Sequence, residues 1–124
     1  MDKILLIGNP NVGKSMVFSR LTGVHVESSN YPGTTVEIAR GKLVLGSRQV
    51  EVDDLPGTYA LEPGSKAEEV AVELLRKHAG RDIAVIDVLD ATNLERNLSL
   101  TLELIEQGFP VIVCANMSDE MQHH

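Results

Sequence analysis

The sequence predicts an α/β fold: a mostly parallel sheet with one antiparallel edge hairpin, and helices between the parallel strands. Three observations predict it. Short apolar runs at Ile4-Leu5-Leu6-Ile7, Ile83 to Leu89 and Val111 to Ala115 read as buried strands, with helical periodicity between them. Directly after the first run comes Gly8-Asn9-Pro10-Asn11-Val12-Gly13-Lys14-Ser15, which fits G-x-x-x-x-G-K-[ST], the phosphate-binding P-loop. Two further polar positions, Asp54 and Asn116, fall where other strands end. Right-handed crossovers gather such ends on one rim of a sheet, where ligands bind.

Composition narrows the reading. The 124 residues suit one domain, and 43% apolar residues suffice for a core, built without Trp from Val, Ile, Leu and Ala. The net charge is −7 and no Lys/Arg cluster exceeds a pair, which speaks against nucleic acid as a partner. The single cysteine, Cys114, cannot form an internal disulfide. No apolar run approaches the roughly 18 residues of a membrane span.

In order, Lys3 to Ile7 is the first strand, apolar on both faces as a central parallel strand should be. The P-loop leads into a helix from Met16 to Leu21, ending near Thr22-Gly23. Val24 to Thr35 has no clean period and is expected to be a long loop, of the kind that is usually functional. Val36 to Val44 is a strand of mixed polarity expected at an edge, and Leu45 to Arg48 is a turn. Gln49 to Asp54 alternates, with Val50 and Val52 on one face and Glu51 and Asp53 on the other. These two strands form the hairpin. Asp54-Leu55-Pro56-Gly57 breaks the strand, and the chain stays irregular to Gly64. Ser65-Lys66-Ala67-Glu68 is a capping-box pattern, and Ala67, Val70, Ala71, Leu74, Leu75 and His78 follow at helical spacing until Gly80. Ile83 to Leu89 is a buried strand. Thr92-Asn93-Leu94-Glu95 repeats the capping box, and Leu94, Leu98, Leu102 and Ile105 make one apolar face. Gly108-Phe109-Pro110 ends that helix before the strand from Val111 to Ala115.

The motifs imply chemistry. Gly8 lets the backbone leave the strand, and Gly13 lets main-chain N–H groups close on an anion. Lys14 would reach the β- and γ-phosphates, and Ser15 would offer its hydroxyl to Mg²⁺. Asp54, at a strand end facing the P-loop, would support Mg²⁺ through water; Asp53 points to the other face, expected to be solvated. Thr34 and Thr35 lie where a hydroxyl would cap Mg²⁺ while a γ-phosphate is present and release it after hydrolysis. Asn116 and Asp119 follow a buried strand, and a carboxylate there would accept the N1–H and amino group of guanine, a donor pair adenine lacks. The four histidines, His25, His78, His123 and His124, show no metal-ligand spacing, and His78 is expected to be a partly buried packing residue.

Together, Gly8–Ser15, Thr35, Asp54-Leu55-Pro56-Gly57 and Asn116-Met117-Ser118-Asp119 resemble four of the five signature motifs of small GTP-binding domains. The forms Asn-Pro-Asn-Val-Gly-Lys-Ser, Tyr-Pro-Gly-Thr-Thr-Val-Glu, Asp-Leu-Pro-Gly-Thr-Tyr and Asn-Met-x-Asp are similar to the N-terminal G domain of FeoB, the prokaryotic ferrous-iron transport protein B, over nearly the whole chain. The resemblance implies a Ras-like P-loop G domain over residues 1–124, C-terminally incomplete, with the fifth motif and the last strand and helices absent. It implies nucleotide binding by Gly8, Asn9, Pro10, Asn11, Val12, Gly13, Lys14, Ser15, Met16, Gly33, Thr34, Thr35, Asp54, Gly57, Asn116, Met117 and Asp119. Asn11, Lys14 and Thr35 would be catalytic; Mg²⁺ would sit on Ser15, Thr35 and Asp54, and K⁺ on Asn11. GTP would be hydrolysed slowly, because Thr58 stands where many GTPases place a water-orienting glutamine. A helical regulatory domain and a membrane iron permease would be partners, at the cytoplasmic face of the inner membrane. The alternatives are a GTPase of ribosome assembly, which would bring a basic RNA-binding module, and a nucleotide-sensing module without significant turnover. Asp53 departs from the family pattern, which has an apolar residue there.

Overall fold

The computed structural model describes residues 2–23, 26–62 and 64–116. The elements are β1 (Lys3–Gly8), α1 (Lys14–Thr22), β2 (Val26–Asn30), β3 (Glu37–Leu45), β4 (Arg48–Asp54), α2 (Lys66–Lys77), β5 (Ile83–Asp90), α3 (Leu94–Glu106) and β6 (Val111–Asn116). They make one six-stranded sheet in the order β2-β3-β4-β1-β5-β6. β4, β1, β5 and β6 run parallel, and β2–β3 and β3–β4 are antiparallel. Each apolar run expected to be a strand is one, and the two most buried strands, β1 and β5, lie side by side inside the sheet.

Helices cover both faces. On one, Phe18 of α1 packs with Ile4, Leu6, Val50, Val52 and Val88. On the other, Val70, Leu74 and Leu75 of α2 and Leu100 and Leu104 of α3 pack with Leu5, Ile7 and Val85. The capping box at Ser65 forms: its hydroxyl accepts the Glu68 N–H at 3.2 Å. His78 is buried at the end of α2 with Nδ1 2.9 Å from the Leu74 carbonyl.

Five expectations need correction. The stretch from Val24 to Thr35, expected to be a loop, contains a strand, β2, whose five residues are all exposed. With no buried face it has no period to read, and backbone pairing to β3 from Val26↔Gly41 to Asn30↔Glu37 alone defines it. That pairing also moves β3 away from the edge. The second capping box does not form. Asn93 is the N-cap without a side-chain bond, and Thr92 instead donates its hydroxyl (2.6 Å) and N–H (2.9 Å) to Asp90 Oδ1. The apolar face of α3 formed by Leu94, Leu98, Leu102 and Ile105 is exposed, while Asn97, Leu100, Thr101 and Leu104 are buried. Partners on β5 explain the choice. Asn97 accepts the Asp90 N–H at 3.2 Å and donates to the Asn93 carbonyl at 2.7 Å, and the Thr101 hydroxyl donates to Asp87 Oδ2. Finally, Asp53 is not solvated but fully buried. It does face away from Val50 and Val52. Cationic side chains from both flanking strands meet it there: Lys3 Nζ at 3.0 Å and Arg40 Nε at 3.5 Å.

Candidate functional site

The site lies at the carboxyl ends of the parallel strands. β1 is buried along its length and ends at Gly8, where a Cβ would lie 2.6 Å from the Val88 carbonyl oxygen. Gly8 is thus needed for close approach of β1 to β5. The chain then turns through Asn11, whose φ of 65° is the only left-handed one at a non-glycine among the described residues. Gly13 follows with φ 83° and is the N-cap of α1. No side chain caps that helix, so its first N–H groups are presented to whatever lies in front, as in an anion site.

A cavity of about 580 Å³ opens here, lined by Asn9, Pro10, Asn11, Gly13, Lys14, Ser15 and Gly57. Two other stretches of sequence meet the P-loop around it: the segment from Asp54 to Gly57 and Asn116. Lys14 Nζ, on the first turn of α1, is hydrogen-bonded to Asp54 Oδ1 at the end of β4, with both side chains largely buried. Gly57 sits against Pro10, and the Thr58 N–H donates to the Gly8 carbonyl at 3.0 Å. From the end of β6, Asn116 Nδ2 donates to the Val12 carbonyl at 3.1 Å. It lies so close to Gly13 that a Cβ there would stand 2.0 Å from it. Register explains the convergence: Leu6 of β1 is paired with Asp54 and Ile86, and Asp90 of β5 with Asn116.

The Lys14–Asp54 pair has a chemical consequence. A phosphate reaching Lys14 competes with the Asp54 carboxylate, and a divalent cation offers that carboxylate a replacement partner. Phosphate and metal would therefore favour each other's binding here. The donors fit Mg²⁺: a hydroxyl at Ser15 and a carboxylate at Asp54 are hard oxygen ligands of the kind Mg²⁺ takes beside phosphates. Asn9, 4% exposed, adds a buried side-chain oxygen without a hydrogen-bond partner on the cavity wall.

The structure does not bring all expected residues together. Thr34 spends its hydroxyl locally, donating to the Tyr31 carbonyl at 2.9 Å and accepting the Val36 N–H at 3.1 Å. Thr35 is exposed, and neither it, Thr34 nor Gly33 lines the cavity. Met16 is 41% exposed on α1. Met117, Asp119, His25, His123 and His124 lie outside the described residues. Thr58 is fully buried, its hydroxyl 2.6 Å from the Ala60 carbonyl and 3.0 Å from Glu68 Oε2, turned into the fold.

Two charged groups outside the cavity carry no sequence signal of their surroundings. Burial works against the Lys3 charge, yet Glu51 at 2.8 Å and Asp53 hold its pKa above the usual lysine value. Burial pushes the Asp87 carboxyl up to about 6, only partly offset by the Thr101 hydroxyl, and its Oδ1 has no partner. Alternation marks Asp53 as facing away from Val52, but no local signal marks which side of a sheet is covered.

The sheet order, the loop after β1 and the Lys14–Asp54 contact define a class: P-loop domains of the Ras-like type. The family model described as Ferrous iron transport protein B matches residues 2–124, and the chain belongs to that family, FeoB_N. An Fe(2+) transport protein A/Fe(2+) transporter FeoB fusion protein of Porphyromonas gingivalis is 45% identical over 97% of this chain and 14% of that protein. Among solved structures, the G domain of the T. maritima FeoB iron transporter is 39% identical with a TM-score of 0.88, covering 100% of this chain and 77% of that one. The GDP-bound A143S mutant of the S. thermophilus FeoB G-domain is 44% identical with a TM-score of 0.85, covering 99% of this chain and 46% of that one. The chain spans 14% and 17% of the length of the first two curated relatives it matches.

Proposed function

We propose that the chain binds GTP and GDP with Mg²⁺ and hydrolyses GTP slowly, as the nucleotide switch of a ferrous-iron transporter. The observation that carries the reading is a cavity at the start of α1 lined by the P-loop and Gly57, with Asp54 bonded to Lys14 and Asn116 bonded to the Val12 carbonyl. A relative 44% identical is GDP-bound, which supports the choice of nucleotide. Residues 1–124 serve as one GTP-binding domain of a longer protein, next to a helical regulatory domain and an iron permease, at the cytoplasmic face of the membrane.

Lys14 and the P-loop N–H groups hold the phosphates, and Asp119 selects guanine. Ser15 and Asp54 would hold Mg²⁺, and Thr35 would join them in the triphosphate state. The metal would supply positive charge beside the phosphates. Hydrolysis is in-line attack of water on the γ-phosphorus, with the β–γ bridging oxygen leaving with GDP. Thr58 points away from the cavity, so no side chain directly after Gly57 orients the water. Unassisted turnover of about 10⁻⁴–10⁻² s⁻¹ is the expectation for such a site.

K⁺ would supply the missing positive charge, with Asn11 as its ligand. Its strained backbone holds the exposed side chain at the cavity, where the amide oxygen suits a large monovalent ion. The test is GTP turnover in KCl against NaCl at equal ionic strength, for the parent and Asn11→Ala. K⁺ stimulation lost in the variant supports the assignment. Equal rates in both salts for the parent end it.

A further inference from the structure

The segment after Gly57 is held by α3 through two side chains that the nucleotide chemistry does not call for. Glu103 Oε2 accepts the Leu61 N–H at 3.0 Å, and Leu61 is 8% exposed. Two turns earlier on the helix, Arg96 stacks on the Tyr59 ring, its guanidinium carbon 4.6 Å from the centroid. At its start the same segment is pinned to the P-loop: Gly57 lies against Pro10, and the Thr58 N–H is bonded to the Gly8 carbonyl. Residues 57–61 are thus strung between the cavity wall and α3. We propose that Glu103 and Arg96 are positioning residues that preorganise Gly57 for the γ-phosphate. This rests on the nucleotide reading above.

The physical argument is one of ordering cost. In P-loop GTPases the segment behind the strand-end carboxylate is ordered by the γ-phosphate, and a diphosphate makes no such demand. A segment already tied at both ends loses little freedom when that contact forms. Without the α3 ties the triphosphate has to bear the ordering, and its affinity falls while that of GDP stays. The selectivity for GTP over GDP is therefore set in part from α3, outside the cavity.

The experiment measures affinities of the 124-residue chain for GDP and for a non-hydrolysable GTP analogue, both with Mg²⁺, together with amide hydrogen exchange at Leu61. Glu103→Ala is expected to lower the analogue-to-GDP affinity ratio by about three- to tenfold, the range of one intramolecular hydrogen bond, and to speed Leu61 exchange. Glu103→Gln keeps an acceptor oxygen and is expected to restore both. Arg96→Gln, an exposed change that leaves the core untouched, is expected to lower the ratio in the same direction. Normal GDP binding with an unchanged or raised ratio in Glu103→Ala overturns the inference alone, as does unchanged Leu61 exchange. If Glu103→Ala does not fold, an unchanged ratio in Arg96→Gln overturns it. A parent chain that binds neither nucleotide overturns the nucleotide reading and this inference together.

Discussion

Asp87 shows how one buried group ties stability to pH. It sits in the middle of β5, fully buried, with Thr101 as its hydrogen-bond partner. Its folded pKa of about 6 lies above the roughly 3.9 of an unfolded aspartate, so the folded state holds the proton more tightly. The sign follows from linkage. The contribution is fully present below about pH 4, is lost as pH rises through 6, and stays lost above. The gap between the folded and unfolded values corresponds to about 3 kcal/mol at most. Asp87→Asn keeps the shape and cannot ionise. Urea denaturation is expected to find it more stable than the parent by about 2–3 kcal/mol at about pH 7.5 and equal to it near pH 4. A stability difference that does not change between those pH values would rule out a titrating carboxyl at this place. Asp87 lies three residues before Asp90, toward the cavity end of the strand. Nothing in the motif pattern marks it: a carboxylate inside an apolar run simply weakens the strand signal.

At the scale of elements, the charge network across β3, β4 and β1 decides how the hairpin joins the parallel strands. Asp53 is fully buried between Lys3 and Arg40, and these three residues lie on adjacent strands. Removing one partner from a buried ion pair leaves an uncompensated charge and costs about 3–5 kcal/mol, while replacing the pair by apolar residues is often neutral. Arg40 is half exposed and compensates only in part. Lys3→Met is therefore expected to destabilise strongly, and Lys3→Met with Asp53→Val to recover most of the loss. Thermal melts of the two variants and the parent check this; equal losses in both variants would mean the pair carries little. β2 and α3 show the limits of sequence patterns at this scale. Periodicity reports a buried face, so a strand exposed on both sides, such as β2, is silent and resembles a loop. In α3 the more apolar stripe is visible in the sequence, but polar partners on β5 draw Asn97 and Thr101 inward, and hydropathy does not see partners.

The molecule as a whole is organised by its rim. β1, β4, β5 and β6 run the same way, so loops far apart in sequence meet where these strands end. That much is legible in the sequence, because buried parallel strands are continuous apolar runs and the P-loop has fixed spacing. Thus Asp54, Gly57 and Asn116, expected near the P-loop, each contact it: Asp54 at Lys14, Gly57 at Pro10 and Asn116 at the Val12 carbonyl. What covers each sheet face is not legible, since Asp53 and the α3 stripe both depend on distant segments. Leu94, Leu98, Leu102 and Ile105 of α3 are large apolar residues left exposed on one helix face. The central claim is that this rim is a phosphate site built around Lys14 and selective for guanine nucleotides. Isothermal titration of the chain with GDP and with ADP, each with Mg²⁺, beside Lys14→Ala of unchanged circular dichroism, tests it most directly. Binding of GDP far tighter than ADP, and lost in Lys14→Ala, is the expected result; equal affinity of parent and Lys14→Ala for GDP would contradict the account.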